Sequence, residues 1–120
     1  MKTIVIIDDE NEILTLLQRF LSKNKEYKVL TYSNPVTALS SMPKDTDLVL
    51  LDIMMPQMNG LDVLPKLVEK KDDIKILMMT AYSTLDKVLN SHRRGANDYI
   101  MKPFESLDAV AKKIDRLLEQ

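Results

Sequence analysis

The sequence predicts an α/β protein, a doubly wound parallel sheet with helices on both faces, over a single domain spanning residues 1–120. Two observations predict it. Five short β-branched or aliphatic runs recur along the chain: Thr3 to Ile7, Lys28 to Tyr32, Leu48 to Leu51, Lys75 to Met79 and Asp98 to Met101. They are nearly continuous in apolar residues rather than alternating, as expected of strands buried on both faces. Each interval leaves room for a helix, so the order reads βαβαβαβαβα, and right-handed crossovers make the sheet parallel.

In the first helical interval Ile13, Leu17, Phe20 and Leu21 carry the 3.6-residue period. Asn34-Pro35 reads as N-cap and first helical residue of a short second helix. The third helix shows Leu61, Leu64, Leu67 and Val68 on one face, with Pro65 early in it, removing one backbone donor and bending the first turns. Gly95 is the expected left-handed stop of a fourth helix. The last helix has one stripe of Leu107, Val110, Ala111, Ile114, Leu117 and Leu118. No internal repeat, low-complexity stretch or linker interrupts this plan.

Composition narrows the function classes. At 120 residues the chain suits one domain with a real core. Lys plus Arg is 17 against 18 Asp plus Glu, a formal net charge of -1, so neither a nucleic-acid nor a membrane footprint stands out. There is no cysteine, which excludes disulfides and thiolate metal sites. The apolar run Ile4 to Ile7 is too short for a signal peptide or a membrane span, so a cytoplasmic domain is expected.

The chemistry gathers at strand ends. Open α/β sheets place ligands outside the carboxyl ends of their strands, where the strand order reverses. In the flavodoxin-like order 2-1-3-4-5 that crevice lies between strands 1 and 3. The order is adopted from that class, and what the residues add is that Asp8, Asp9 and Asp52 all fall at the spot. Three acids there repel one another, each close pair by roughly 4 kcal/mol at an effective dielectric near 20, so the cluster takes a cation or holds protons. Oxygen donors without Cys or His suit Mg²⁺. Asp8-Asp9 alone reads equally as a helix N-cap and acidic first turn. Lys102 follows strand 5 and supplies the expected counter-charge. A cis Lys102-Pro103 bond would aim it inward, and the sequence leaves that bond open, since about 5% of X-Pro bonds are cis. Thr80 offers a hydroxyl at the end of strand 4 and Ala81 leaves space beside it, although Thr80 also reads simply as a β-branched strand end. Tyr99 reads as a half-buried core ring with a wet hydroxyl.

Taken together, Asp8-Asp9, Leu51-Asp52-Ile53-Met54-Met55-Pro56-Gln57-Met58-Asn59-Gly60, Thr80-Ala81 and Gly95-Ala96-Asn97-Asp98-Tyr99-Ile100-Met101-Lys102-Pro103-Phe104 resemble the receiver domain of two-component response regulators of the chemotaxis-regulator type. The resemblance spans essentially the whole chain. It implies Asp52 as phosphoacceptor and Mg²⁺, with Mn²⁺ also suitable, held by Asp8, Asp9, Asp52 and the Met54 backbone carbonyl. It further implies Thr80, Ala81 and Lys102 around the acyl phosphate, with Thr80 and Tyr99 as the switch. The phosphodonor would be a sensor histidine kinase or histidine phosphotransfer protein. The face of the fourth helix, fifth strand and last helix would carry the signal, with a phosphorylation-dependent homodimer left open. No separate substrate, direct nucleic-acid contact or membrane attachment is expected, and self-phosphorylation with slow hydrolysis takes the place of turnover.

Two positions depart from the family toward the apolar. Met54 and Tyr82 stand where side chains flank the path of the hydrolytic water, which implies a long-lived phosphoryl group. His92, Arg93 and Arg94 form a basic run before Gly95, readable as cations at a helix C-terminus or as a patch that selects a partner or dimer mate.

Rival readings differ at single residues. An aspartyl-phosphate phosphatase of haloacid-dehalogenase type wants a second Asp two residues after the nucleophile, where this chain has Met54. A flavin-binding relative of the fold needs a phosphate cradle after strand 1, and Asp8-Asp9-Glu10-Asn11-Glu12 would repel it. A docking receiver that takes no phosphate stays open. No output domain follows Leu118-Glu119-Gln120 in this sequence, which leaves a stand-alone receiver and a piece of a longer regulator both open.

Overall fold

The computed structural model describes residues 1–81, 90, 92 and 94–120. Five parallel strands, β1 (Lys2–Ile7), β2 (Tyr27–Tyr32), β3 (Leu48–Asp52), β4 (Lys75–Thr80) and β5 (Asp98–Met101), form one sheet in the order β2-β1-β3-β4-β5. Four described helices are α1 (Asn11–Leu21), α2 (Pro35–Ser41), α3 (Gly60–Lys70) and the C-terminal α4 (Leu107–Leu118). The helix expected before Gly95 falls largely outside the described residues, as do Tyr82 and Arg93.

Burial on both sheet faces explains the unbroken apolar runs. Ile4, Ile6, Leu48, Leu50, Leu77 and Met79 pack with α1 and α4 through Leu14, Leu17, Leu21, Val110, Ile114 and Leu117. Their neighbours Val5, Ile7, Val49, Leu51, Ile76 and Met78 pack on the opposite face with Ala38 of α2 and Val63, Leu64 and Leu67 of α3. Successive residues thus serve opposite cores, so a polar residue inside these strands would be stranded without water.

Four strands are one residue longer than the apolar runs suggest, because backbone pairing continues where side-chain character changes. Lys2 pairs in register with Tyr27, Asp52 with Met79 and Thr80 with Met101. Asp52 and Thr80 are therefore strand residues, held by the ladder rather than by a loop. Asn97 clips β5 into register from outside, its side-chain oxygen accepting from the Ile76 N–H at 2.7 Å and its own N–H donating to the Ile76 carbonyl at 2.9 Å.

Asn34 caps α2 as expected, accepting from the Val36 N–H at 2.8 Å with Pro35 in the first turn. Asn59 and Ser106 cap α3 and α4 in the same manner. Pro65 lies inside α3, where its missing N–H leaves the Leu61 carbonyl without an intrahelical donor. Arg94 fills the gap. Its Nη1 donates to the Leu61 carbonyl at 3.0 Å and to Asp62 Oδ1 at 3.0 Å. This charge is thus spent on the neighbouring helix, a use that neither sequence reading of the basic run anticipates, while His92 is exposed. Gly95 takes φ +118°, positive as expected of a helix stop, and an added Cβ would lie 2.7 Å from Val68 Cγ2.

Candidate functional site

The ends of β1, β3 and β5 bring four carboxylates and one ammonium together. Asp8 follows β1, with its N–H donating to the Tyr32 carbonyl at 3.2 Å, and Asp52 ends the adjacent β3. Lys102 follows β5, with its N–H on the Thr80 carbonyl at 2.8 Å, and the Lys102-Pro103 peptide is cis. Its Nζ lies 2.9 Å from Asp8 Oδ2, 3.0 Å from Glu10 Oε1 and 3.4 Å from Asp52 Oδ1. The side chains of Asp8, Asp52 and Lys102 are 0%, 4% and 9% exposed, so these charges meet with little solvent between them.

One lysine does not balance this cluster. Burial, then the Asp8 charge, pushes Asp52 up to about 7, against the opposing pull of Lys102 and with a further rise from its hydrogen bond to Asp9. Burial also raises Asp8, although the Glu10 N–H and Lys102 both favour its carboxylate. Burial pulls the Lys102 ammonium down, but its hydrogen bonds to Asp8 and Glu10 and the surrounding negative charge outweigh this and hold it above its ordinary value.

The donor set fits a hard divalent cation. Asp8, Asp9, Glu10 and Asp52 each offer one carboxylate oxygen, all within 4.8 Å of one another, and none of them is a sulfur or nitrogen ligand. Excess negative charge in a buried crevice is what such a cation relieves.

Around the cluster, Thr80 is buried at the end of β4 and Ala81 is exposed. The Met54 residue is 50% exposed. Tyr99 lies one strand beyond β4, opposite Met78, and packs partly buried against the core on the α2 and α3 side. Lys113 of α4 straps this edge strand. Its Nζ donates to the Tyr99 carbonyl at 2.6 Å, pairs with Asp98 at 3.3 Å and sits 5.1 Å from the Tyr99 ring centroid. An edge-strand carbonyl has no ladder partner on its open side, and lysine supplies the donor.

Three contributors escape the sequence reading. Glu10 holds Lys102, and the only signal for it is the third acid in Asp8-Asp9-Glu10. Lys113 leaves no signal, since a helical lysine reads as solvated. Gly60 is the third. Its N–H donates to the Ile53 carbonyl at 2.7 Å, and a Cβ there would sit 2.1 Å from the Asp52 carbonyl oxygen and 2.9 Å from Ile53 Cα. These are backbone atoms with nowhere to go. Gly60→Ala is therefore expected to cost at least about 2 kcal/mol of stability, read as a lowered Tm, by displacing the backbone that carries Asp52.

The family model described as response regulator receiver domain matches residues 4–115. The chain belongs to this family of receivers. The receiver is 34% identical over 118 residues to the response regulator SaeR of Staphylococcus aureus, covering 98% of this chain and 51% of that protein. It thus spans about half the length of such relatives. Among solved structures it matches the response regulator TrrA of Thermotoga maritima, described in complex with Mg²⁺-BeF, at 36% identity and TM-score 0.84, covering 98% and 99% of the two chains. A CheY-like receiver from Methanospirillum hungatei matches at 29% identity and TM-score 0.89, covering 99% and 94%. The haloacid-dehalogenase rival gives way here, because the receiver family model spans most of the chain. Among the described residues no helix of the receiver is long and apolar enough to cross a membrane.

Proposed function

We propose that this receiver accepts a phosphoryl group on Asp52 from the phosphohistidine of a sensor histidine kinase or histidine phosphotransfer protein, and signals by rearranging the face around β5 and α4. The observation that supports this most is the Lys102 ammonium lying 2.9 Å from Asp8 and 3.4 Å from Asp52 at the mouth of the β1/β3 crevice. TrrA, 36% identical, is described in complex with Mg²⁺-BeF, and the four clustered carboxylates here are oxygen donors of the kind such a cation takes.

An Asp52 carboxylate oxygen attacks phosphorus as the P–N bond to the donor imidazole breaks, and the electron pair of that bond leaves with the imidazole. Lys102 neutralises a phosphoryl oxygen as charge builds on it. The Thr80 hydroxyl donates to a second oxygen, and the small Ala81 leaves room for the group. Asp8, Asp9, Asp52 and the Met54 carbonyl would hold Mg²⁺, or Mn²⁺ with the same oxygen preference, which supplies further charge neutralisation when bound. The phosphoryl group adds about -1.5 to -2 charge and strong acceptors. Thr80 moves to satisfy one of them and Tyr99 turns into the vacated space. Switching from about 1:99 to 99:1 requires roughly 5.5 kcal/mol of preference for the active state, within reach of several hydrogen bonds to a dianion.

The receiver acts without a separate substrate, in the cytoplasm, and as one domain across the chain. A phosphorylation-dependent homodimer through the β5 and α4 face is part of the same reading. Acetyl phosphate with Mg²⁺ is expected to add one phosphoryl group per chain, and EDTA to prevent it. Labelling undiminished by EDTA would count against the reading. The apolar Met54, together with Tyr82 outside the described residues, slows hydrolysis. Replacing both by asparagine is expected to speed loss of phosphate several-fold in a decay assay, and an unchanged or slower decay removes this element.

A further inference from the structure

We propose that Glu10 is a positioning residue for Lys102, holding the ammonium at the lip of the crevice when Asp8 and Asp52 are engaged elsewhere. The proposal rests on the phosphoacceptor reading above, and its test separates the two. Glu10 occupies the N-cap position of α1, with φ -92° and ψ 108°, yet its side chain makes no cap hydrogen bond. The N-caps of α2, α3 and α4 are Asn34, Asn59 and Ser106, each accepting a backbone N–H, which is what this position favours. At α1 the side chain is committed instead to Lys102 at 3.0 Å, closer than Asp52 at 3.4 Å, although it is 60% exposed.

Glu10 also grips the other end of the same contact. Its N–H donates to Asp8 Oδ1 at 2.9 Å, while Asp8 Oδ2 receives Lys102. The Lys102 ammonium has three donors and three carboxylate neighbours, two of them deep in the crevice and one at its rim. When Asp8 and Asp52 turn their oxygens to a divalent cation, Lys102 keeps Glu10 and stays beside the site instead of leaving for water. Without Glu10, the ammonium competes with the cation for Asp8 and Asp52. Removing the charge of Glu10 and releasing Lys102 onto those acids act in the same direction, so both weaken cation binding.

Two substitutions distinguish this role from a helix-end role. Glu10→Gln keeps the length and removes the charge. Glu10→Asp keeps the charge and improves the cap, but is one methylene too short for the contact. Mn²⁺ binding to the intact protein, followed by electron paramagnetic resonance at low salt beside thermal melting, reads both. The expected result is a Kd raised about tenfold in Glu10→Gln and less in Glu10→Asp, with the Tm of Glu10→Asp equal to or above that of wild type. Equal Mn²⁺ affinity in all three proteins overturns the proposal and leaves the phosphoacceptor reading standing. Failure of wild type itself to bind Mn²⁺ overturns both.

Discussion

Lys102→Met is expected to slow labelling by acetyl phosphate about 100-fold or more, the scale on which a single charge-stabilising donor acts in group transfer. Methionine keeps the apolar stem, so the comparison isolates the ammonium. Its loss also leaves Asp8 and Asp52 facing each other in a site almost closed to solvent. Breaking a buried ion pair in this way costs about 3–5 kcal/mol, and the acids lessen the cost by keeping a proton. The destabilisation of Lys102→Met therefore grows as pH rises, and Mg²⁺ restores more stability to the variant than it adds to wild type. Thermal melts across pH, with and without Mg²⁺, check this. A labelling rate within a few-fold of wild type removes Lys102 from the transfer step.

Asp52→Asn is expected to stabilise the metal-free protein at pH 8. In the folded protein Asp52 titrates near 7 against an ordinary value of 3.8, so between these values the native state holds a proton that the unfolded chain has released. Stability contributed by that proton is complete below about pH 4 and is lost as pH rises through about 7. Asparagine removes the penalty that follows. At about 1.4 kcal/mol for each pKa unit, the gain at pH 8 is on the order of 4 kcal/mol, or roughly 15 °C in Tm, and it vanishes near pH 4. A variant that melts at or below wild type at pH 8 in EDTA contradicts the charge imbalance described here.

Much of the fold is legible because burial on both sheet faces leaves continuous apolar runs, and because Asn34-Pro35 and Gly95 are specific helix signals. The strand order is not legible, since parallel partners leave no mark on one another in a single sequence. The ends of β3 and β4 extend to Asp52 and Thr80 because the backbone ladder ignores the change to polar side chains. At the site, Asp8, Asp9, Asp52 and Lys102 can be read because strand-end charges converge wherever the sheet is doubly wound. Glu10 and Gly60 cannot be read in the same way. The first depends on a side chain turning away from its helix, the second on a 2.1 Å approach of an absent Cβ to the Asp52 carbonyl. Arg94 on the Leu61 carbonyl is a similar case, since Pro65 announces the orphaned acceptor but not which donor fills it.

The most direct measurement compares wild type with Asp52→Ala after incubation with acetyl phosphate and Mg²⁺, by intact-protein mass spectrometry. Wild type gains the mass of one phosphoryl group and loses the gain when EDTA is present, while Asp52→Ala gains none. Equal labelling of the two proteins would contradict Asp52 as the phosphoacceptor, and with it the account of Lys102, Thr80 and Tyr99 built around that residue.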